Sequence, residues 1–264
     1  MGPAPGTKLG VDVNVDLYAV SPMFIWVSDR KVLGAKYAAY IAPSFASASL
    51  DAALSREAGT GRGINSSQFG VGDLFVQPLW LGWSLTNWDF ALGYGFYAPV
   101  GRYNTETVTL PGGAAIKAES ADNIGLGFWE QQIQGAVSWY PWADRMTAVS
   151  AVLTYGIPQK KEDFDLTPGQ NLTLNWGISR YLMLNKSQTL MLEVGPAGYD
   201  SWQVTSDSGS AASGGLDQVH AVGGQLGFTY VPWMLSVNFH GFYEFAATDR
   251  FQGQSFGLNI AKKF

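Results

Sequence analysis

Residues 254–264 alternate: Phe256, Leu258, Ile260 and Phe264 fall on one face, and Ser255, Gly257, Asn259 and Lys263 on the other. A period of two predicts a strand with one apolar and one polar face. Lys262 falls on the apolar side, where a lysine close to a membrane interface can snorkel to the headgroups. The same alternation opens the chain, with Val11, Val13, Val15 and Leu17 set against Asp12, Asn14, Asp16 and Tyr18. Between these ends the pattern predicts strands over residues 69–85, 88–98, 124–140, 146–157, 171–184, 189–203, 219–230 and 233–245. The front is less regular. Ser21-Pro22 reads as a turn, 23–28 as a short strand and Asp29-Arg30-Lys31 as a charged turn. Residues 32–54, rich in Ala and Ser and containing Pro43, read as a bent strand, with a small-residue helix as the competing reading. Residues 55–67 read as a polar, glycine-rich loop.

The connections alternate in length. Short turns fall near 86, 143, 186 and 232, and longer loops near 60, 110, 163, 210 and 248. That asymmetry belongs to barrels with short periplasmic turns and long extracellular loops. The expectation is an all-β fold: a transmembrane antiparallel up-and-down β-barrel of about 12 strands, a single domain over 1–264, both chain ends periplasmic, with residues 1–8 as a lead-in. A half-buried edge strand of a soluble sandwich is the alternative for the last stretch taken alone. Trp80, Trp83, Trp88, Trp139, Tyr140, Trp142, Tyr181 and Trp233 cluster beside the short turns, as an interfacial girdle would.

Composition sharpens this picture. Only 14% of the 264 residues are charged, although 32 are glycine, a low charge for a soluble surface. No apolar window is long enough for a transmembrane helix. The absence of cysteine excludes disulfide scaffolds and thiolate metal sites. A net charge of -5 excludes a basic nucleic-acid footprint. The first residues lack the charged and apolar regions of an export signal. Since an outer-membrane barrel is exported, the expectation is that the signal peptide is absent from this sequence.

Strand parity selects candidate lumen residues. In 233–245, Leu235, Val237 and Phe239 face lipid, leaving Ser236, Asn238, His240, Phe242 and Glu244 inside. In 171–184, Leu172, Leu174, Trp176 and Ile178 face out, leaving Thr173, Asn175 and Ser179 inside. Asp12, Asn14, Asp16, Asp73, Gln77, Glu193, Gln225 and Asn259 point inward by the same parity, with Phe75 and Phe242 as apolar contacts on a solute path. A charge on the lipid face costs a few kcal/mol at mid-membrane, which drives these groups inward. Mutual satisfaction that merely holds the barrel in shape is the plainer role for each. No catalytic, cofactor or metal site is expected. His240 and Glu244 are about 13 Å apart along a strand, and neither His220 nor His240 stands in a nucleophile arrangement. Gly59-Thr60-Gly61-Arg62-Gly63 lacks the ending of a phosphate loop. The charged groups of the long loops, Lys160 to Asp165 among them, form a solvated rim facing lipopolysaccharide.

Several stretches resemble one family. They are GVGDLFVQPLW at 70–80, GYGFYAPVGRY at 93–103, NIGLGFWE at 123–130, LTPGQ at 166–170 and DRFQGQ at 249–254. Their order and spread over 9–264 are similar to the outer-membrane channel family associated with the meta-pathway of phenol degradation. The resemblance implies a twelve-stranded barrel in a Gram-negative outer membrane, taking up small hydrophobic or aromatic molecules such as biodegradation substrates. The expected partners are outer-membrane lipid, these solutes and, during insertion, the barrel-assembly machinery. A monomer is expected, with a structural or adhesive barrel of closed lumen as the alternative.

Overall fold

The computed structural model describes residues 9–56, 59–109, 115–120, 123–212 and 214–264. Its strands are β1 (Leu9–Val20), β2 (Phe24–Val32), β3 (Ala35–Arg56), β4 (Gly59–Ser84), β5 (Trp88–Ala98), β6 (Thr105–Thr109), β7 (Ala115–Glu119), β8 (Glu130–Trp139), β9 (Thr147–Pro158), β10 (Asn171–Met183), β11 (Leu190–Gln203), β12 (Gln218–Tyr230), β13 (Leu235–Thr248) and β14 (Gln254–Lys262). Twelve of them form one antiparallel sheet in the order β1-β3-β4-β5-β8-β9-β10-β11-β12-β13-β14, with β2 also on β3, while β6 and β7 pair only with each other. This is the meander of an up-and-down barrel, curled so that one face is concave. No helix among the described residues is long and apolar enough to cross a membrane.

The front of the chain departs from expectation. Val20 lies opposite Phe45 and Phe24 opposite Ile41, so β1 and β2 run end to end along β3 in one register. Ser21-Pro22 therefore interrupts a strand and does not reverse it. Proline cannot donate to a ladder, and the break falls on the sheet's edge, where that loss is tolerated. The reversal comes at Leu33 and Gly34, with φ of 50° and 77°, a pair of left-handed residues suited to a two-residue hairpin. Asp29, Arg30 and Lys31 lie within β2. The Ala/Ser-rich segment is strand, and β3 pairs with β1 as far as Arg56. The segment read as a glycine-rich loop is mostly ladder too, with Ala53 opposite Gly63 and Arg56 opposite Gly59. The long β3 backbone beside it outweighed its turn-like composition. Residues 124–129 are irregular, and β8 starts only at Glu130.

Because β1 and β2 share one position, the twelve strands fill eleven positions. The two edges consequently run in the same direction, and among the described residues they do not pair. Leu9 starts β1 beside Arg56 at the loop end, whereas β14 runs to Lys262 at the turn end. The lead-in at 1–8 lies outside the described residues.

The long connections after β5, β9 and β11 gather at one end and the shorter ones after β4, β10 and β12 at the other, as the sequence predicts. The loop expected near 60 is not long, since β3 ends at Arg56 and β4 begins at Gly59. On the outer face of β14, Phe256, Leu258 and Ile260 are 71%, 61% and 67% exposed. Trp88 and Trp139 stack at 5.9 Å near the turn end, and Trp142 and Trp233 are exposed there. Lys262 bends to the Trp233 carbonyl, satisfying its ammonium at the rim. Tyr140 and Tyr181 do not belong to this girdle. Both line the concave face. Trp80 is also inward, for a reason given below.

Candidate lumen and loop-end junction

On the inner face of β8 to β14, the register brings eight of the predicted residues to one recess of about 490 Å³: Asn175, Ser179, Glu193, Gln225, Asn238, His240, Phe242 and Asn259. Ser138, Ser150, Tyr140 and Tyr181 add to its polar lining. Glu193 is its hub. Ser179 donates to Glu193 Oε1 at 2.6 Å, and Gln225 Nε2 donates to the same oxygen at 3.1 Å. His240 sits opposite Gln225 and Gly257. A Cβ at Gly257 would lie 2.2 Å from His240 Nε2, so the glycine makes room for the imidazole. Phe242 packs on His240 at 5.5 Å and edge-on to Tyr199 at 5.4 Å.

Glu244 is inward but engaged in holding a loop. It accepts the Tyr199 hydroxyl at 2.5 Å and the Gly253 amide at 2.8 Å. Among the described residues, the inner face of β8 to β14 carries Glu130, Glu193, Glu244 and His240, and no lysine or arginine. Asp16 is exposed, and the side chains of Asp12 and Asn14 lie outside the described residues.

Asp73 has a structural role. Its carboxylate accepts the Gly101 amide at 3.0 Å and the Leu126 amide at 2.7 Å, while its carbonyl accepts the Ser44 hydroxyl at 2.8 Å. A Cβ at Gly101 or Gly125 would come within 2.8 Å of Asp73 Oδ1. Three sequence motifs (around 73, 101 and 125) thus meet at one carboxylate, which locks the exit of β5 to the entry of β8. Above it lies a second recess of about 350 Å³, lined by Phe128, Glu130, Lys161, Pro168, Asn171, Gln203, Asp207 and Asp249 among others. It draws on the remaining two motifs. Gly169 donates to Asp207 at 2.8 Å. Lys161 pairs with Glu119 and lies 5.8 Å from the Phe128 ring. Burial, then the charge of Glu119, pushes the Tyr103 phenol up to about 12.

Phe75 and Gln77 lie apart from these recesses, on the inner face of β4. Phe75 is 4.7 Å from Tyr97 and 5.6 Å from Tyr40, and Tyr40 is 5.7 Å from Trp80. Gln77 pairs across to Tyr40. The ladder shifts between Val76 and Leu79, around Pro78, and the extra residue lets Gln77 and Trp80 both point inward. Simple parity puts residues three apart on opposite faces, which is why Trp80 reads as girdle from sequence. Tyr40 and Tyr199 carried no distinctive sequence signal, and Tyr97 stood out only as part of the motif at 93–103.

His220 lies on the outer face near the loop end. Its Nδ1 meets Asp200 Oδ1 at 2.6 Å, and Trp176 Nε1 donates to Asp200 Oδ2 at 3.2 Å. Trp176 is outward, as parity predicts. Among the described residues there is no group of three or more potential metal ligands.

A curled meander with an apolar exterior and a polar interior defines a barrel of the outer-membrane type. The model of the family described as "Putative MetA-pathway of phenol degradation" matches residues 1–260, and the chain belongs to that family. No curated protein matches it in sequence. Among solved structures it is similar to OmpT, an outer membrane protein of Vibrio cholerae, in trimer form, with 10% identity, 94% of this chain and 98% of that chain covered, and a TM-score of 0.39. A second OmpT structure gives 10% identity, 94% and 96% coverage and a TM-score of 0.37.

Proposed function

We propose that the chain is an outer-membrane channel for passive uptake of small hydrophobic or aromatic molecules, and that it is not an enzyme. The observation that carries this reading is the recess of about 490 Å³ on the inner face of a sheet whose outer face is apolar. Such a wall sorts solutes by width, polarity and charge. Family membership supports aromatic cargo. The inward carboxylates, without inward lysine or arginine on β8 to β14, favour neutral phenols over aromatic carboxylates. In this reading the loop end is extracellular and borders lipopolysaccharide, the turn end is periplasmic, insertion uses the barrel-assembly machinery, and the working unit is a monomer.

Single-channel current in a planar bilayer tests the proposal. Resolved conductance that phenol reduces in a dose-dependent way is the expected result. Folded protein that carries no current at any voltage would overturn passive uptake and favour a barrel with a closed lumen.

A further inference from the structure

We infer that the inner face of β3, β4 and β5 is a binding track for monocyclic aromatic molecules that carry a hydrogen-bond donor. This rests on the channel reading for the direction of travel and adds the place and chemistry of recognition. Tyr97, Phe75, Tyr40 and Trp80 form an unbroken inward run, each ring 4.7–5.7 Å from the next. Ring pairs at such spacings attract through offset or edge-to-face contact. A solute ring can therefore exchange one partner for the next without crossing open water.

The wall beneath the run is cleared by glycine. A Cβ at Gly95 would lie 2.6 Å from Phe75 Cζ, and one at Gly93 would lie 2.7 Å from Gln77 Nε2. These two glycines let the Phe75 ring and the Gln77 amide lie against the backbone, so the run stays shallow. The bulge at Pro78 then adds Trp80 to the same side.

Gln77 supplies the polar half of the site. It is 1% exposed, and its Oε1 has no hydrogen-bond partner. A buried acceptor left unpaired is costly, and a ligand that donates to it gains what an apolar ligand cannot. A phenol fits once the Gln77 amide turns toward the lumen: its ring stacks on the half-buried Tyr40 or Trp80, which the buried Phe75 ring supports, and its hydroxyl donates to Gln77 Oε1. Benzene meets the rings but leaves the oxygen unsatisfied.

Equilibrium binding of phenol and of benzene to the folded protein in detergent tests this without needing current. The native protein is expected to hold phenol more tightly than benzene. Gln77→Leu, close in size, should weaken phenol by about tenfold, the worth of one hydrogen bond near 1.4 kcal/mol, and leave benzene within about twofold. Phe75→Leu should weaken both, and it serves as a second variant if Gln77→Leu fails to fold. Equal affinity of the native protein for phenol and benzene, no binding of either, or Phe75→Leu and Gln77→Leu proteins that bind as the native does would each overturn the track. A closed lumen would show as absent current, whereas failure of the track would show as phenol binding indifferent to these side chains.

Discussion

Asp73 accepts two backbone N–H groups from segments far away in sequence, at Gly101 and Leu126. Hydrogen bonds to a charged acceptor are each worth about 1.5–3 kcal/mol, so Asp73→Asn is expected to destabilise the barrel by about 2 kcal/mol, read as a lowered urea midpoint at unchanged slope. An unchanged midpoint would mean the junction is held by packing alone. Gly95 poses the opposite problem, since any side chain there meets both Phe75 and the Val76 carbonyl, the latter at 3.0 Å. Gly95→Ala should cost about 1–3 kcal/mol by overpacking and tilt Phe75 out of the aromatic run. Parity placed Asp73 on the inner face correctly, but it could not tell a solute contact from a backbone staple. That distinction depends on which amides approach the carboxylate in three dimensions.

Among the elements, the two loops between β9 and β10 and between β11 and β12 are joined through Asp165. Its carboxylate accepts Lys160 Nζ at 2.7 Å and the Ser210 amide at 3.0 Å. The Lys160 ammonium, then the Ser210 bonds, hold this carboxyl well below the usual aspartate range. A depressed carboxyl stabilises the joined loops above its unfolded value, and that contribution is lost as pH falls through the folded value. Protection of the Ser210 amide, taken relative to its intrinsic exchange rate, should therefore hold from neutral pH to about 4, weaken progressively below it and be lost only as pH falls through the depressed folded value. Asp165→Ala should exchange quickly at every pH. Protection that persists in the variant would show that the Thr167–Ser208 bridge suffices. The strands of the main sheet from β5 onward were legible because alternation, Asn/Gly/Pro punctuation and loop asymmetry agreed, whereas β6 and β7 fall in the stretch near 110 that reads as a loop. The front was not, because Ser21-Pro22 has the composition of a turn yet only interrupts an edge strand, and Gly59 and Gly63 have it too while their backbones have ladder partners.

At the scale of the whole sheet, the eleven strand positions of the described residues leave both edges running from the loop end toward the turn end. Direct pairing of β1 or β2 with β14 would be parallel. An antiparallel closure takes a strand that runs opposite to both, and in lipid every edge group needs a partner. The interior field belongs to the same scale. Glu193 stands at the centre of a wall whose described basic groups lie elsewhere, so a salt gradient should give a reversal potential of cation-selective sign. Glu193→Gln should move that potential toward zero without abolishing current. Anion selectivity in the native protein would contradict the argument for neutral phenols over carboxylates.

By itself the sequence determined the all-β class, the apolar exterior, the turn and loop ends and most of the inward polar residues. Those properties follow from a period of two and from the cost of charge in lipid, both local along the chain. Only the tertiary structure decided that Ser21-Pro22 interrupts an edge strand without reversing it, that a bulge at Pro78 turns Trp80 inward, that Asp73 is a staple, and that Gln77 keeps an unpaired oxygen on the face that carries four aromatic rings. Register and close approach of distant backbones set these features, and neither is written in any one segment.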